Sequence, residues 1–454
     1  MLLHAYHYFF KALQKNVNHN FLEPQNFSNP AKFIATAFIA LLFAILFGGQ
    51  KICNLIVFLC LLFTLSHLLI RGFLIFLTCS QKQIHVSIVP TKLVSFTILL
   101  PLYKENLIVI QKLVESISNL KYPTNLLDCQ IVVEQHDNET INNVKACNLP
   151  HYFSVVLVPH GPIKTKPQAC NYAMQFAKGE IVAIYDAEDA PDANQLLAVC
   201  ACFNNNYAVD IVQCPLLFYN SKQNFLTKNF QMEYFAWFKL TLPAICKYNL
   251  PLCLGGTSNF IRIEFFHKHG LWCGKNLTED AELGLRAFAH GVKTAFVNYP
   301  TLEECPFELK NWLNQRKRWI KGFNQTYFFY FATFLRRKYK LLPKLVFFFL
   351  HGSSAIGFLA VLLLLTGEAK FALSTKATMW QISNAISWLT LGLSLGISTF
   401  AWKRLLNTNW FVCLAKSLGS AAYFCLHPIA AIFAIFDLIK KPFHWDKTNH
   451  HGNV

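Results

Sequence analysis

Several groups of polar side chains in the middle of this chain have types and spacings that can do chemistry. Asp186-Ala187-Glu188-Asp189 puts three carboxylates into four residues, directly after the apolar run 180–185. Crowded negative charges repel unless a cation offsets them. Oxygen ligands of this kind suit Mg2+ or Mn2+, often shared with substrate phosphates. Asp186 and Glu188 are therefore candidate metal ligands; the plain alternative is a solvated acidic turn. Thr278-Glu279-Asp280 opens a helical pattern carrying Leu283, Leu285 and Phe288. A helix start favours the ionised carboxylate, so Asp280, with Glu279 beside it, is a candidate general base, or else a cap. Gln315, Arg318 and Trp319 fall at i, i+3 and i+4 and share one helix face. An amide, a guanidinium that grips phosphate with two prongs and an indole that stacks on a sugar suit a sugar diphosphate. The plain alternative is the basic face of an interfacial helix. Gly255-Gly256-Thr257-Ser258-Asn259 lets backbone approach a ligand closely. Glu134 and Asp137, after the run 129–133, form a fainter acidic pair.

Elements that could position these groups are visible around them. Strand-like runs at 95–100, 129–133, 154–158 and 180–185 alternate with helical spacing at 106–119 and 167–178, the latter opened by Pro167. Such alternation predicts an α/β fold with a mostly parallel sheet and right-handed crossovers. Ligands in such sheets sit at the carboxyl ends of the strands, where Glu134, Asp137 and Asp186 fall. No Walker A or G-x-G-x-x-G sequence is present, which excludes the obvious NTPase and dinucleotide sites.

The 454 residues are 54% hydrophobic and only 14% charged, against about 25% charged in ordinary soluble domains. The net charge of +17 fits either a nucleic-acid-binding surface or the cytoplasmic flanks of membrane spans. Apolar stretches occupy the two ends. Residues 33–47 and 52–70 read as a helical hairpin broken at Gly48-Gly49-Gln50-Lys51, the second arm ending at Arg71. Residues 345–366, 380–402 and 410–438 are further candidates, the last interrupted by Lys416 and Pro428. These runs approach the ~20 residues that a membrane helix needs. Basic clusters at Arg316–Lys321, Arg336–Lys340, Lys403-Arg404 and Lys440-Lys441 lie in or beside these flanks. They place residues 80–340 in the cytoplasm and count against nucleic-acid binding. Five spans would put Lys440 and Lys441 outside, so 428–441 is expected to lie at the interface with a cytoplasmic tail. Residues 224–245 read equally as an interfacial helix beside the acceptor or as core. The 15 cysteines contain no C-x-x-C pair, as expected of buried thiols in a reducing compartment.

Taken in order, these motifs resemble glycosyltransferase family 2, in particular its membrane-embedded branch that includes cellulose, chitin and hyaluronan synthases. Leu100-Pro101-Leu102-Tyr103-Lys104-Glu105 looks like the first strand and its turn, and Lys166 like the basic position near the diphosphate. Asp186-Ala187-Glu188 resembles the Asp-x-Asp metal site, Thr278-Glu279-Asp280 the catalytic-base motif, and Gln315 through Trp319 the Gln-x-x-Arg-Trp signature. Glu134 and Asp137 stand where the family usually has Asp-Asp. Phe443-His444-Trp445-Asp446-Lys447-Thr448 resembles a tail signature of a bacterial subgroup.

The resemblance implies a GT-A type nucleotide-sugar-binding domain, with a mostly parallel mixed sheet, flanked by transmembrane helices. Residues 1–30 would be a cytoplasmic segment, 31–79 the hairpin, 80–340 the cytoplasmic catalytic domain, 341–438 a region of two or three spans, and 439–454 a tail, all in a bacterial plasma membrane. The implied reaction is inverting transfer from a nucleoside diphosphate sugar, a UDP-sugar first, to a hydroxyl of a growing polysaccharide or glycolipid, with Mg2+ or Mn2+ as cofactor. Asp186 and Glu188 would hold the metal. Glu134, Asp137, Lys166, Gln315 and Arg318 would hold the donor. Gly255, Gly256, Thr257 and Trp319 would meet the acceptor, and Asp280 with Glu279 would act on its proton. The alternatives are a non-processive transferase making a lipid-linked sugar and a non-enzymatic membrane scaffold.

Overall fold

A computed structural model describes residues 49–80, 89–159, 165–206, 208–353 and 377–441, with a few isolated positions besides. It opens on helix α1 (Gly49–Cys79). The α/β region begins with β1 (Phe96–Leu102), α2 (Leu107–Ser118), β2 (Leu127–Glu134), α3 (Asn138–Lys145), β3 (Phe153–Val158), α4 (Lys166–Ala173) and β4 (Ile181–Ile184). It continues through β5 (Ala190–Pro191), α5 (Gln195–Asn205), β6 (Val209–Gln213), β7 (Leu216–Phe218), α6 (Phe225–Phe235), α7 (Leu242–Lys247), β8 (Asn259–Arg262) and α8 (Ile263–His269). Next come α9 (Glu279–Ala289), β9 (Lys293–Phe296), β10 (Thr301–Glu303) and the long α10 (Leu309–Arg336). After α11 (Leu341–Leu345), the described chain ends in α12 (Ala377–Leu406), α13 (Trp410–Phe424) and α14 (Leu426–Lys440).

Seven strands form one sheet in the order β3-β2-β1-β4-β8-β6-β9. Only β8 runs antiparallel to its neighbours, β4 and β6. A second sheet, β5-β10-β7, lies beside it. The central strands are buried on both faces, which explains why they read as unbroken apolar runs. Side chains alternate between two cores. Phe96, Ile98, Leu100, Cys129, Ile131 and Val133 pack on one side; Leu99, Val132, Val182 and Ile184 pack on the other. Each such buried aliphatic contributes about 1.5–3 kcal/mol relative to exposure. The second core also contains Ile70 and Leu74 of α1 and Val346 and Leu350. The end of α1 is therefore packed into the α/β domain rather than tethered to it.

Three described helical stretches are long and apolar enough to cross a membrane: Asn54–Cys79, Gln381–Leu406 and Trp410–Leu438. The last contains an interruption at Cys425, where α13 gives way to α14. Lys317 pairs with Asp437 at 2.8 Å, and Lys321 Nζ donates to Lys441 O at 3.0 Å. The end of α14 thus sits against α10.

Some sequence expectations change. Gly49, Gln50 and Lys51 of the break expected at 48–51 are helical, so the second arm starts at Gly49 rather than at Ile52; Gly48 lies outside the described residues. The first arm, most of 345–366 and the 443–448 motif lie outside the described residues. The stretch 224–245 is core: Leu226, Phe230, Met232, Phe238 and Leu240 are buried. It forms α6, a π-helical turn at Ala236–Thr241, and α7. Pro243 offers no N–H to the preceding turn, and the Thr241 hydroxyl donates to Ala236 O at 2.8 Å. π-turns of this kind often lie at functional sites.

Candidate active site

The ends of β1, β2, β4 and β10 face one cavity of about 1150 Å3, which α9, α10 and the His67–Arg71 turn of α1 also line. Ligand pockets usually measure about 300–1,000 Å3, so this one has room for two substrates. Glu105, Glu134, Asp186, Glu188 and Glu303 reach it from strand ends and the turns after them, and Glu279 and Asp280 from the start of α9. Lys166, Gln315, Arg318 and Trp319 line it as well.

The loop after β4 is braced from within. Asp189 is 2% exposed. Its Oδ2 accepts from Asp186 N at 2.7 Å and from the Thr257 hydroxyl. This third carboxylate shapes the loop and leaves Asp186 and Glu188 facing the cavity. Lys166 Nζ pairs with Asp186 Oδ1 and donates to Gly256 O at 2.8 Å, tying this loop to the glycine loop before β8. Burial alone would drain the lysine of charge, but Asp186 and Glu279 keep its pKa above the ordinary value.

Negative charge is in excess here. Burial, and then the nearby Asp186, push the Glu188 carboxyl up to about 8. Burial together with Asp189, Glu188 and Asp186 drives Glu303 well above its usual range. Burial, and then Glu279, bring Asp280 to about 7. Among the described residues no group of three His, Cys, Asp or Glu side chains could enclose a metal ion. Two carboxylates with a surplus of buried charge fit an ion that takes its other ligands from water and substrate phosphates. Asp186 and Glu188 fit that requirement.

The base candidate sits against backbone. A Cβ placed on Gly256 would come 3.4 Å from Asp280 Oδ2. Helix α10 closes on the same turn: a Cβ on Gly322 would come 2.6 Å from both Thr278 Oγ1 and Cγ2, and 2.9 Å from Thr278 N. Glycine there brings the Gln315–Arg318–Trp319 helix onto the start of α9. Burial lowers the Arg318 pKa, against the pull of Glu279, Asp186, Asp280 and Glu188. Gln315 Oε1 is shielded from solvent with no hydrogen-bond partner among the described residues, so a ligand hydroxyl would satisfy it. Trp319 stacks on Tyr234 with ring centroids 6.1 Å apart and 23° between planes.

Two expected site residues are occupied with structure. Asp137 does not line the cavity. It caps α3, accepting from Lys104 N at 2.6 Å, Thr140 Oγ1 at 2.7 Å and Thr140 N at 3.2 Å. It holds the Lys104 turn, whose φ is 53°, rather than facing a ligand. Thr257 lines the cavity, but its hydroxyl lies 2.9 Å from Ile184 O and also reaches Asp189. Gln213 holds this loop further, accepting from Gly255 N at 2.9 Å and donating to Thr257 O at 3.1 Å.

A buried ionic cluster ties α10 to the apolar C-terminal helices. Glu233 accepts from both terminal nitrogens of Arg316, at 2.8 and 2.7 Å, and from Tyr423 Oη at 2.5 Å. His427 Nε2 stands 3.6 Å from it. Burial would raise the Glu233 carboxyl, yet Arg316 and His427 hold it well below its usual range. Arg316 also lies over the rings of Phe230 and Trp319. Glu233, Glu303 and Arg71 have no motif of their own, and Glu105 and Arg316 lie inside motifs without a role assigned to them; all five become cavity residues only through the fold.

A family profile described as "Glycosyl transferase family group 2" matches residues 181–436, more than half of the chain. The chain belongs to this family. Its sheet and site loops are thus those of a family 2 glycosyltransferase, with a GT-A-like fold. A mannosyltransferase from Pyrobaculum calidifontis, solved in complex with GDP-Man and Mn2+, superposes with a TM-score of 0.55 at 17% identity. That likeness covers 82% of this chain and 98% of the other and bears on fold alone. A probable glycosyltransferase of Bacillus subtilis is 26% identical over 262 residues, covering 56% of this chain and 62% of the relative. A beta-monoglucosyldiacylglycerol synthase of a Nostoc species is 25% identical over 272 residues, covering 57% of this chain and 54% of the relative. The matched region spans little more than half the length of these curated relatives.

Proposed function

We propose that this family 2 protein is a membrane-embedded inverting glycosyltransferase that moves a sugar from a nucleoside diphosphate sugar to an acceptor hydroxyl. The observation that carries this reading is the sharing of one cavity by two chemically different sets of side chains. Asp186, Glu188, Lys166 and Arg318 form a charged set suited to a diphosphate. Asp280, with a carboxyl near 7, stands against the glycine loop as a base able to exchange a proton at ordinary pH.

The donor would lie with its base toward Glu134 and its diphosphate toward Lys166 and Arg318. A UDP-sugar is the expected donor, on the family resemblance alone. Asp186 and Glu188 would hold a divalent cation, Mg2+ or Mn2+, which when bound offsets charge on the leaving diphosphate. Asp280 would take the acceptor proton as the hydroxyl oxygen attacks the anomeric carbon from the face opposite the diphosphate. Lys166 and Arg318 would counter the charge of the departing group. Gln315 would orient a donor hydroxyl, and Trp319, fixed by Tyr234, would form an apolar wall for a sugar ring.

A lipid acceptor is favoured over a long polysaccharide by the cavity wall, where His67 and Arg71 of α1, Leu350, and Phe424 of α13 take part. The apolar helices are read as anchoring the enzyme in a bacterial plasma membrane with the catalytic domain cytoplasmic. The contact of Lys441 with Lys321 supports a tail on that same side.

Purified protein in detergent would be screened with UDP- and GDP-sugars in Mg2+ or Mn2+, reading thermal stabilisation and sugar transfer or donor hydrolysis. Stabilisation and turnover by one donor class are expected. No response to any nucleotide sugar, with folding intact, would refute the proposal and favour a scaffold.

A further inference from the structure

Arg71 is a charged residue in the wrong place for a simple membrane anchor. It lies on α1 within Asn54–Cys79, eight residues before the helix end, or about 12 Å along the axis. Its neighbours Ile70, Leu74 and Ile75 are buried, while Leu69, Phe73 and Phe76 face outward. Arg71 does not follow the outward residues. It lines the cavity that holds Asp280, together with His67 one turn away, and its Nε is shielded without a hydrogen-bond partner among the described residues.

Two ordinary explanations fall short. An arginine that only snorkels to the membrane surface would extend its guanidinium into water, whereas this one turns inward. Nor is it needed to neutralise Glu233, the acidic group whose charge bears on it. Glu233 already has the two-pronged Arg316 and the Tyr423 hydroxyl. Lys166 and Arg318 face the carboxylates of Asp186, Glu279 and Asp280 instead. Among the described residues the cavity is thus polarised, rich in carboxylates at the strand tips and the start of α9, with a surplus cation beside α1. Ionisable side chains inside apolar spans mark functional sites by default.

We propose that Arg71 anchors a phosphate on the acceptor, which is a lipid carrying both that anionic group and a free hydroxyl. This rests on the transferase reading above. The hydroxyl oxygen forms the new glycosidic bond, its proton passes to Asp280, and the diphosphate leaves with the bonding electrons. The lipid phosphate is only bound.

Full-length protein in detergent tests this with dihexanoyl phosphatidylglycerol, dihexanoylglycerol and inorganic phosphate as probes. Binding is read by native mass spectrometry, and transfer in the same samples. Arg71→Met is expected to weaken phosphatidylglycerol binding about tenfold, the usual scale of one lost charge-assisted contact. It should raise KM for that acceptor while kcat stays within about twofold. Arg71→Lys should recover most of the loss, and dihexanoylglycerol should be indifferent to all three versions. No hydrogen bond among the described residues is lost, so Arg71→Met should melt like the unaltered protein. Equal phosphatidylglycerol binding by Arg71→Met, or an equal loss for dihexanoylglycerol, would overturn the anchor. Displacement by inorganic phosphate at equal concentration would overturn its lipid part. Donor hydrolysis keeps the two readings apart: its persistence with no Arg71 effect refutes the anchor alone. Its absence in the unaltered protein counts against the transferase, and the binding measurement still decides Arg71.

Discussion

Glu233→Gln should loosen the helix that carries Gln315, Arg318 and Trp319. Glutamine keeps the size of the side chain and one acceptor oxygen, but it turns an N–H2 group toward donors that now face a carboxylate. Arg316 then keeps its buried charge with one neutral amide oxygen, Tyr423 Oη at 3.2 Å and the nearby aromatic rings in place of a carboxylate. Removing one partner of a buried pair costs about 3–5 kcal/mol. The remaining ring contacts are worth about 0.5–2 kcal/mol, so a loss of about 3 kcal/mol is expected. At roughly 2 °C per kcal/mol for a large domain, melting should fall by about 6 °C. The sign with pH follows from the depressed carboxyl. Its stabilisation is present above the ordinary value of 4.5 and disappears only as pH falls below it, so measurement at pH 7 sees all of it. Tryptophan fluorescence during heating, alongside donor turnover, would be recorded for Glu233→Gln, and for Glu233→Leu, Arg316→Met and the double variant of these last two. Removing both charges should cost less than the sum of the single losses by about 2 kcal/mol. If the single losses add to within about 0.5 kcal/mol, the pair is not the clamp described here.

Four further outcomes are expected. Asp280→Asn should leave donor binding unchanged in a calorimeter but lower transfer by about 10²–10⁴-fold, the usual contribution of a general base. Transfer should rise with pH through about 7 and level off, because Asp280 must be deprotonated to act; a stopped assay across pH 5.5–8.5 checks this. Gly322→Ala should lower kcat more than tenfold, because its Cβ meets Thr278 backbone that has little freedom to shift. Its melting temperature should also fall, by overpacking worth about 1–3 kcal/mol. EDTA should abolish turnover, and Mn2+ or Mg2+ should restore it in the unaltered protein but not in Asp186→Asn.

The parallel half of the sheet was legible in the sequence because β1, β2, β3 and β4 are apolar runs. Strands β6, β8 and β9 are short and carry Asp210, Gln213, Arg262 and Lys293, so no run marks them. The carboxylates at Asp186, Glu188 and Asp280 were visible because they cluster in sequence next to elements with clear periodicity. Glu233 and Glu303 are single acidic residues on separate elements, and only the fold gathers them with Glu105. Asp137 shows the opposite limit: its type and position suit a ligand, but nothing in the sequence reveals that Lys104 N and Thr140 claim its oxygens. Arg71 was visible only as the end of an apolar run, since hydropathy reports a charge but not the side of the helix it occupies.

The clasp between α10 and the last helices also sets a schedule for the growing chain. Lys321 and its partner carbonyl at Lys441 are 120 residues apart. At about 5–20 residues per second, Lys321 joins the chain roughly 6–24 s before Lys441 exists. During that interval Arg316 and Lys317 also wait for Tyr423 and Asp437. The helix with the donor-facing side chains is therefore completed last, when the C-terminal helices arrive. A chain truncated in those helices would carry every sequence motif of the active site and still lack the bolts that hold one wall in place.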